Sequence, residues 1–234
     1  MANVERLTRD NLTEEKLAKT IDHSLVAPLI THDDVIKGCE IAKKYNVNSV
    51  AVKAYDIPLA IKLLEGTDVK VGTVVGFPHG STTPEVKGFE ARQAVDLGAV
   101  ELDVVSNFAA TKAGDFDLLK RDIEAMIKAK GDALIKIILE NCYLTDEEKI
   151  KVCQISEQLG ADFVKTSTGF GTGGATVEDV KLMRKTVSPH IRVKAAGGIR
   201  SLDAAIDILE AGADRVGATR TEGIIEEWKA RHKA

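Results

Sequence analysis

Short apolar runs alternate along the chain with stretches whose apolar residues fall at every third or fourth position. Residues 12–20 predict a short amphipathic helix, and Thr20-Ile21-Asp22-His23-Ser24 a first strand that ends in polar residues. From Thr31, the positions of Val35, Cys39, Ile41, Ala42 and Tyr45 have helical spacing, with Thr31 as cap and Asp33 and Asp34 as early negative charge. The alternation then repeats. Strands are expected at 49–52, 69–75, 100–105, 134–139, 162–166, 191–195 and 214–218, and helices at 57–64, 84–97, 115–129, 146–159, 177–186, 202–210 and 222–232. About eight βα units, with right-handed crossovers between parallel strands, close most naturally into an α/β fold of the (β/α)8 barrel type, here with a short extra N-terminal helix. An open doubly wound sheet would place a glycine-rich nucleotide fingerprint after the first strand, and none is there.

Three of the predicted strands deliver charge at their C-terminal ends, where barrels carry their chemistry. Period-2 geometry puts Phe163, Lys165 and Ser167 on one face, with a glycine-rich loop starting at Gly169. Lys194 recurs 29 residues later just before Gly197-Gly198, and Asp103 stands at the matching height of its own strand. Asp22 and His23 are expected at the mouth of the first strand. A lysine attacks a carbonyl only as the neutral amine, about one molecule in 2,500 at pH 7 when its pKa is unperturbed. A neighbouring ammonium in a poorly solvated barrel mouth depresses that pKa. Lys165 and Lys194 are therefore read as a pair, one the Schiff-base nucleophile and the other the cation that depresses it, with Asp103 as the group that moves protons; the trio describes an aldolase needing neither metal nor cofactor. Lys136 is a decoy, placed deeper and kept charged by a carboxylate partner.

The glycine turns at Gly169-Phe170-Gly171, Gly197-Gly198-Ile199-Arg200 and Gly217-Ala218-Thr219-Arg220 each precede a predicted helix. Exposed N–H groups at such turns bind anions, and barrels often hold phosphate beside strands 7 and 8. Gly169, Phe170, Gly197, Gly198, Thr219 and Arg220 are the expected phosphate ligands. Composition narrows the ligand further. A net charge of -4 offers no footprint for nucleic acid, and no apolar run reaches the ~18 residues of a membrane span, so a small ligand held by a local site is expected. Three cysteines without CxxC spacing, and an N-terminus Met1-Ala2-Asn3-Val4-Glu5-Arg6 without an apolar signal core, point to a reduced cytoplasmic protein. Its 234 residues are read as one domain, 1–234.

The chain resembles the deoxyribose-phosphate aldolases over nearly its whole length. The resemblance is carried by Asp22-His23-Ser24, Gly76-Phe77-Pro78-His79-Gly80, Glu101-Leu102-Asp103-Val104-Val105, Phe163-Val164-Lys165-Thr166-Ser167-Thr168-Gly169-Phe170, Val193-Lys194-Ala195-Ala196-Gly197-Gly198 and the Gly217 turn. It implies that Lys165 forms the Schiff base, that Lys194 and Asp103 handle protons with Asp22 and Ser24 as a supporting relay, and that phosphosugar and small aldehydes are the ligands of a homo-oligomer, dimer or tetramer. The implied reaction joins acetaldehyde to glyceraldehyde 3-phosphate. Departures from the family pattern fall at Ser24, at Lys53-Ala54-Tyr55, at Ser106-Asn107-Phe108 and at Thr219-Arg220, where Arg220 either strengthens phosphate binding or narrows the pocket. Two alternatives stand beside this reading: a metal-dependent lyase using His23 and His79 with Asp22, Asp103 or Glu140, and a non-catalytic phosphosugar-binding barrel.

Overall fold

A computed structural model describes residues 6–233, so most of the N-terminal hexapeptide read above lies outside the described residues. Helix α1 (Glu14–Thr20) is capped by Thr13 and leads into strand β1 (Ile21–Leu25). There follow α2 (His32–Tyr45), β2 (Ser49–Val52), α3 (Ile57–Leu63), β3 (Lys70–Val75), α4 (Pro84–Asp96), β4 (Glu101–Val105), α5 (Phe108–Lys112) and α6 (Phe116–Ala129). The second half runs β5 (Leu134–Ile138), α7 (Asp146–Gln158), β6 (Phe163–Lys165), α8 (Val177–Thr186), β7 (Arg192–Ala196), α9 (Leu202–Ala211), β8 (Arg215–Ala218) and α10 (Thr221–Arg231). All eight strands pair in parallel and in sequence order, and β8 returns to β1, closing the expected (β/α)8 barrel with its extra N-terminal helix. No helix among the described residues is long and apolar enough to cross a membrane.

Local chemistry accounts for the boundaries. At the start of α2, Thr31 accepts the Asp34 N–H while the Asp34 carboxylate accepts the Thr31 N–H, a reciprocal cap that satisfies two otherwise orphaned donors. The same device, Thr145 with Glu148, opens α7. Strand β6 is shorter than expected, because beyond Lys165 the Thr166 side chain takes over pairing to the neighbouring strand: its hydroxyl donates to the Ala196 carbonyl and accepts the Ala196 N–H. Helix α5, unexpected from sequence, is one short turn capped by Asn107.

Strand alternation divides the molecule into two layers. One parity, including Leu102, Val104, Ile135, Ile137, Val193, Ala195 and Val216, faces the helices and forms the continuous apolar core. The other parity faces the barrel axis, and there the chain places Asp22, Glu101, Asp103, Lys136, Lys165, Lys194 and Arg215, all buried. The ~25 cal/mol per Å² gained on apolar burial is thus concentrated in the outer layer, which leaves the barrel interior free to hold charge. That charge survives because the groups pair with one another.

A second buried ion pair holds the end of β4. Between α4 and α6, the Lys87 ammonium donates to Asp122 at 2.8 Å and to the Val105 carbonyl at 2.9 Å, while Asp122 accepts the Asn107 N–H at 2.9 Å. Burial pushes Lys87 down and Asp122 up, and each opposes the shift in the other. Because Val105 and Asn107 bracket the turn after Asp103, this pair fixes where that carboxylate emerges. Lys87→Met should lower stability by about 3–5 kcal/mol in denaturant unfolding, since it leaves Asp122 buried without a cation. Lys87→Met combined with Asp122→Asn should recover most of the loss, and a single-variant loss under about 1 kcal/mol would show that the pair does not support the fold.

Candidate active site

The three residues expected at strand ends meet on one carboxylate. Lys165 and Lys194 are direct partners in the β6–β7 register, and their ammonium groups lie 2.6 and 2.7 Å from the same Asp103 oxygen, Oδ2. The other oxygen, Oδ1, accepts from Lys136 at 2.9 Å. Lys194 also lies 2.6 Å from Oδ2 of Asp22. Asp103 pairs in register with Lys136 rather than with the lysines above it, and the tilt of the barrel strands carries Lys165 and Lys194 back over it.

Electrostatics separates the lysines. Lys165 is pushed down to about 8, first by burial and then by Lys194, against the opposing attraction of Asp103. About a tenth of the amine is then neutral at pH 7. The depression foreseen from sequence is present, with burial ahead of the neighbouring ammonium as its cause. Lys136 is pushed up despite burial, because Asp103, Asp22 and Glu101 all face it, Glu101 at 2.6 Å. Its charge is fixed, as expected of a decoy. Burial works against ionisation of Asp103 and Asp22, but the surrounding cations outweigh it and hold both well below the usual carboxylate range. Room for Lys194 comes from Gly217, where a Cβ would sit 2.9 Å from Ala196 Cβ and 3.5 Å from Lys194 Cε.

Above this cluster opens a cavity of about 200 Å³. Its base is Asp22, Asp103, Lys165 and Lys194, and Ser24 stands on its wall two residues beyond Asp22 on β1. No hydrogen bond among the described residues joins Ser24 to Asp22 or to either lysine. The rim is made of Gly169, Phe170, Gly197, Gly198 and Thr219, so five of the six expected phosphate ligands share one side of the opening. Gly197 and Gly198 take φ of 84° and 80°, successive left-handed conformations that turn their backbone toward the cavity and that residues with a Cβ rarely adopt. Phe170 packs edge-on against Phe77, ring centres 5.3 Å apart, as a lip.

Arg220, the sixth expected ligand, does not line the cavity. It is exposed at the N-cap of α10, its guanidinium beside Gly223, because Arg215, Gly217 and Thr219 have the inward parity and Arg220 the outward one. The arginine on the rim is Arg200, which follows the Gly197-Gly198 turn and was not assigned from sequence. His23 also has the outward parity: its Nδ1 lies 2.7 Å from the Thr221 hydroxyl, and burial pushes it down to about 4, so it does not face the strand mouth as expected. Neither His23 nor His79 lines the cavity, and among the described residues no three His, Cys, Asp or Glu side chains converge as metal ligands. Glu140, with φ of 59°, is instead a loop anchor: its carboxylate accepts the Thr168 N–H at 3.2 Å and the Thr168 hydroxyl, which fixes the loop that carries Gly169 and Phe170 over Lys165.

Comparison with known proteins follows the same lines. The family model for DeoC/LacD family aldolase matches residues 16–225. The deoxyribose-phosphate aldolase of Caldanaerobacter subterraneus subsp. tengcongensis is 53% identical over 216 residues, 91% of this chain and 94% of that one. That of Streptococcus gordonii is 54% identical over 211 residues, covering 90% and 96%. Among solved structures, the tetrameric deoxyribose phosphate aldolase of Aeropyrum pernix superposes with a TM-score of 0.86 at 33% identity, covering 95% of each chain.

Proposed function

The chain belongs to the DeoC/LacD family of aldolases, and from that premise we propose that it is a Schiff-base deoxyribose-phosphate aldolase, which reversibly cleaves 2-deoxy-D-ribose 5-phosphate to acetaldehyde and D-glyceraldehyde 3-phosphate. The observation that carries the mechanism is the pair of buried amino groups on one oxygen of Asp103, with Lys165 pushed by burial down to about 8, where its neutral form is populated.

In the cleavage direction, the neutral Lys165 amine adds to the C1 carbonyl of the open-chain sugar, and loss of water leaves an iminium. Removal of the C3 hydroxyl proton breaks the C2–C3 bond. The bonding pair moves into the iminium to give an enamine, and C3 leaves as the aldehyde of glyceraldehyde 3-phosphate. Protonation at C2 and hydrolysis release acetaldehyde and the free amine. The steps after the addition need proton transfers at the carbinolamine, the C3 hydroxyl and C2, and one water molecule for the final hydrolysis. Lys194 supplies and recovers these protons. Asp103 balances the iminium charge with the oxygen that balanced the ammonium, and Asp22, 2.6 Å from Lys194, extends the relay to β1, while Ser24 stands on the cavity wall with no hydrogen bond to Asp22 among the described residues. The phosphate sits on the Gly169-Phe170, Gly197-Gly198 and Thr219 rim with Arg200 beside it.

This reading includes a homo-oligomer, dimer or tetramer. It is supported by the tetrameric relative and by the exposure of Val86 and Phe89 on one face of α4. It also includes one barrel domain over 1–234 and a cytoplasmic location, in keeping with three free cysteines.

Borohydride reduction in the presence of acetaldehyde should attach a two-carbon adduct to Lys165 in peptide mapping. An adduct on Lys194 or Lys136 would overturn the assignment. Arg200→Ala should lower kcat/KM for glyceraldehyde 3-phosphate about 10- to 150-fold, the loss of one charge-assisted contact, and leave acetaldehyde self-addition nearly unchanged. Arg220→Ala should change neither, and a selective loss with Arg220→Ala would return the phosphate contact to that residue.

A further inference from the structure

Below the catalytic trio, the barrel interior holds a second tier of charge that the mechanism does not use. Glu101, at the start of β4, accepts from Lys136 at 2.6 Å through Oε2, and its Oε1 lies 3.3 Å from the Arg215 guanidinium. Arg215, at the start of β8, donates to Asp22 Oδ1 at 2.6 Å. Asn48 donates to both carboxylates, to Asp22 at 3.3 Å and Glu101 at 3.4 Å. Under Lys165 on the same face of β6, the buried Phe163 ring closes the tier, with Arg192 at 4.0 Å, Arg215 at 5.7 Å and Lys136 at 5.8 Å from its centre. Neither Glu101 nor Arg215 lines the cavity.

We propose that Glu101 and Arg215 are positioning residues that set the charge balance of the barrel interior, and through it the reactivity of Lys165. With Lys165 protonated, four cations (Lys136, Lys165, Lys194 and Arg215) face three carboxylates (Asp22, Glu101 and Asp103), one positive charge in excess. With Lys165 neutral the cluster balances. In a water-poor barrel, the excess charge is expelled most easily from the cation with the fewest carboxylate partners, and that cation is Lys165: its ion pair is with Asp103 alone, whereas Lys194 faces Asp22 and Asp103, Arg215 faces Asp22 and Glu101, and Lys136 faces all three. Arg192 adds positive charge at the closed end, partly buried, repelled by Arg215 and attended by Asp162, Asp214 and, more weakly, Glu101.

The two lower residues act in opposite directions. Glu101 draws Lys136 away from Asp103. Without its charge, Lys136 turns wholly to Asp103 and Asp22, Asp103 has less attraction left for the Lys165 proton, and Lys165 gives that proton up more readily. Arg215 neutralises Asp22. Without it, Asp22 pulls Lys194 and Lys136 toward itself, and Asp103 holds the Lys165 proton more tightly. Both residues thus work through Asp103, whose two oxygens are shared among three ammonium groups.

This inference rests on Lys165 being the Schiff-base lysine, and its test separates the two. The measured quantity is the pH midpoint for borohydride trapping of acetaldehyde on Lys165, followed by peptide mass. Glu101→Gln should lower the midpoint by about one pH unit and Arg215→Met should raise it by about as much. The double variant, which removes one charge of each sign, should return within about 0.3 unit of the parent, as should Arg215→Lys, which keeps the cation. Circular dichroism reports folding, and should either single variant unfold, the folded one together with Arg215→Lys still decides the sign. Midpoints that stay put, or that move in the same direction for both single variants, would overturn the inference while leaving Lys165 as nucleophile. No Lys165 adduct in the parent would overturn the catalytic reading itself.

Discussion

One carboxylate shared by three ammonium groups governs this barrel. Asp103 meets Lys136 on one oxygen and both Lys165 and Lys194 on the other, all within 2.9 Å. Removing any one of these charges from water is costly, and the cluster is tolerable only because each charge finds opposite neighbours in a medium that strengthens their attraction. The same medium makes a surplus charge hard to keep. A group of four cations and three carboxylates has one proton to lose, and the geometry assigns it to Lys165, the cation with the fewest partners. On the proposed reading, the reactivity of Lys165 is a property of the whole interior rather than of that side chain's immediate contacts.

The fold exists to hold that cluster without collapsing it. Apolar burial is placed on the outer parity of the strands, against the helices, and Lys87 and Asp122 lock the turn beyond Asp103 from outside the barrel. At the open end, Thr166 ties β6 to β7, so that Lys165 stays level with Lys194, while Glu140 holds the Thr168 loop over the cavity. These supports come from positions that do not touch the cavity's base. They convert a charged interior into a rigid one, in which a proton is easier to move than a side chain.

What the sequence discloses about this arrangement is set by periodicity. Lys165, Lys194 and Asp103 were legible because each lies within a short β-run at a known distance from its glycine break, and period 2 fixes which way a strand residue points. The same rule, carried one step further, would have placed His23 and Arg220 outside, since they alternate with Asp22 and Thr219. Arg200 was not legible: it follows two glycines with left-handed backbone, where alternation no longer predicts direction. Helix α5 is too short for a periodic signal and depends on the Asn107 cap. Glu101 and Arg215 share the inward parity and so were visible in principle, but their importance lies in pairings across β1, β4, β5 and β8 that appear only when the barrel closes.

The central claim is that the closed barrel itself, before any substrate arrives, sets Lys165 apart from the lysines around it. It is tested most directly by following the side-chain resonances of isotope-labelled lysines in the unliganded protein through a pH titration, with Lys165→Arg and Lys136→Arg for assignment. The account predicts that Lys165 loses its proton near pH 8 while Lys136 keeps its own beyond the ordinary lysine range. A Lys165 that titrates above pH 10, like a lysine in water, would contradict it.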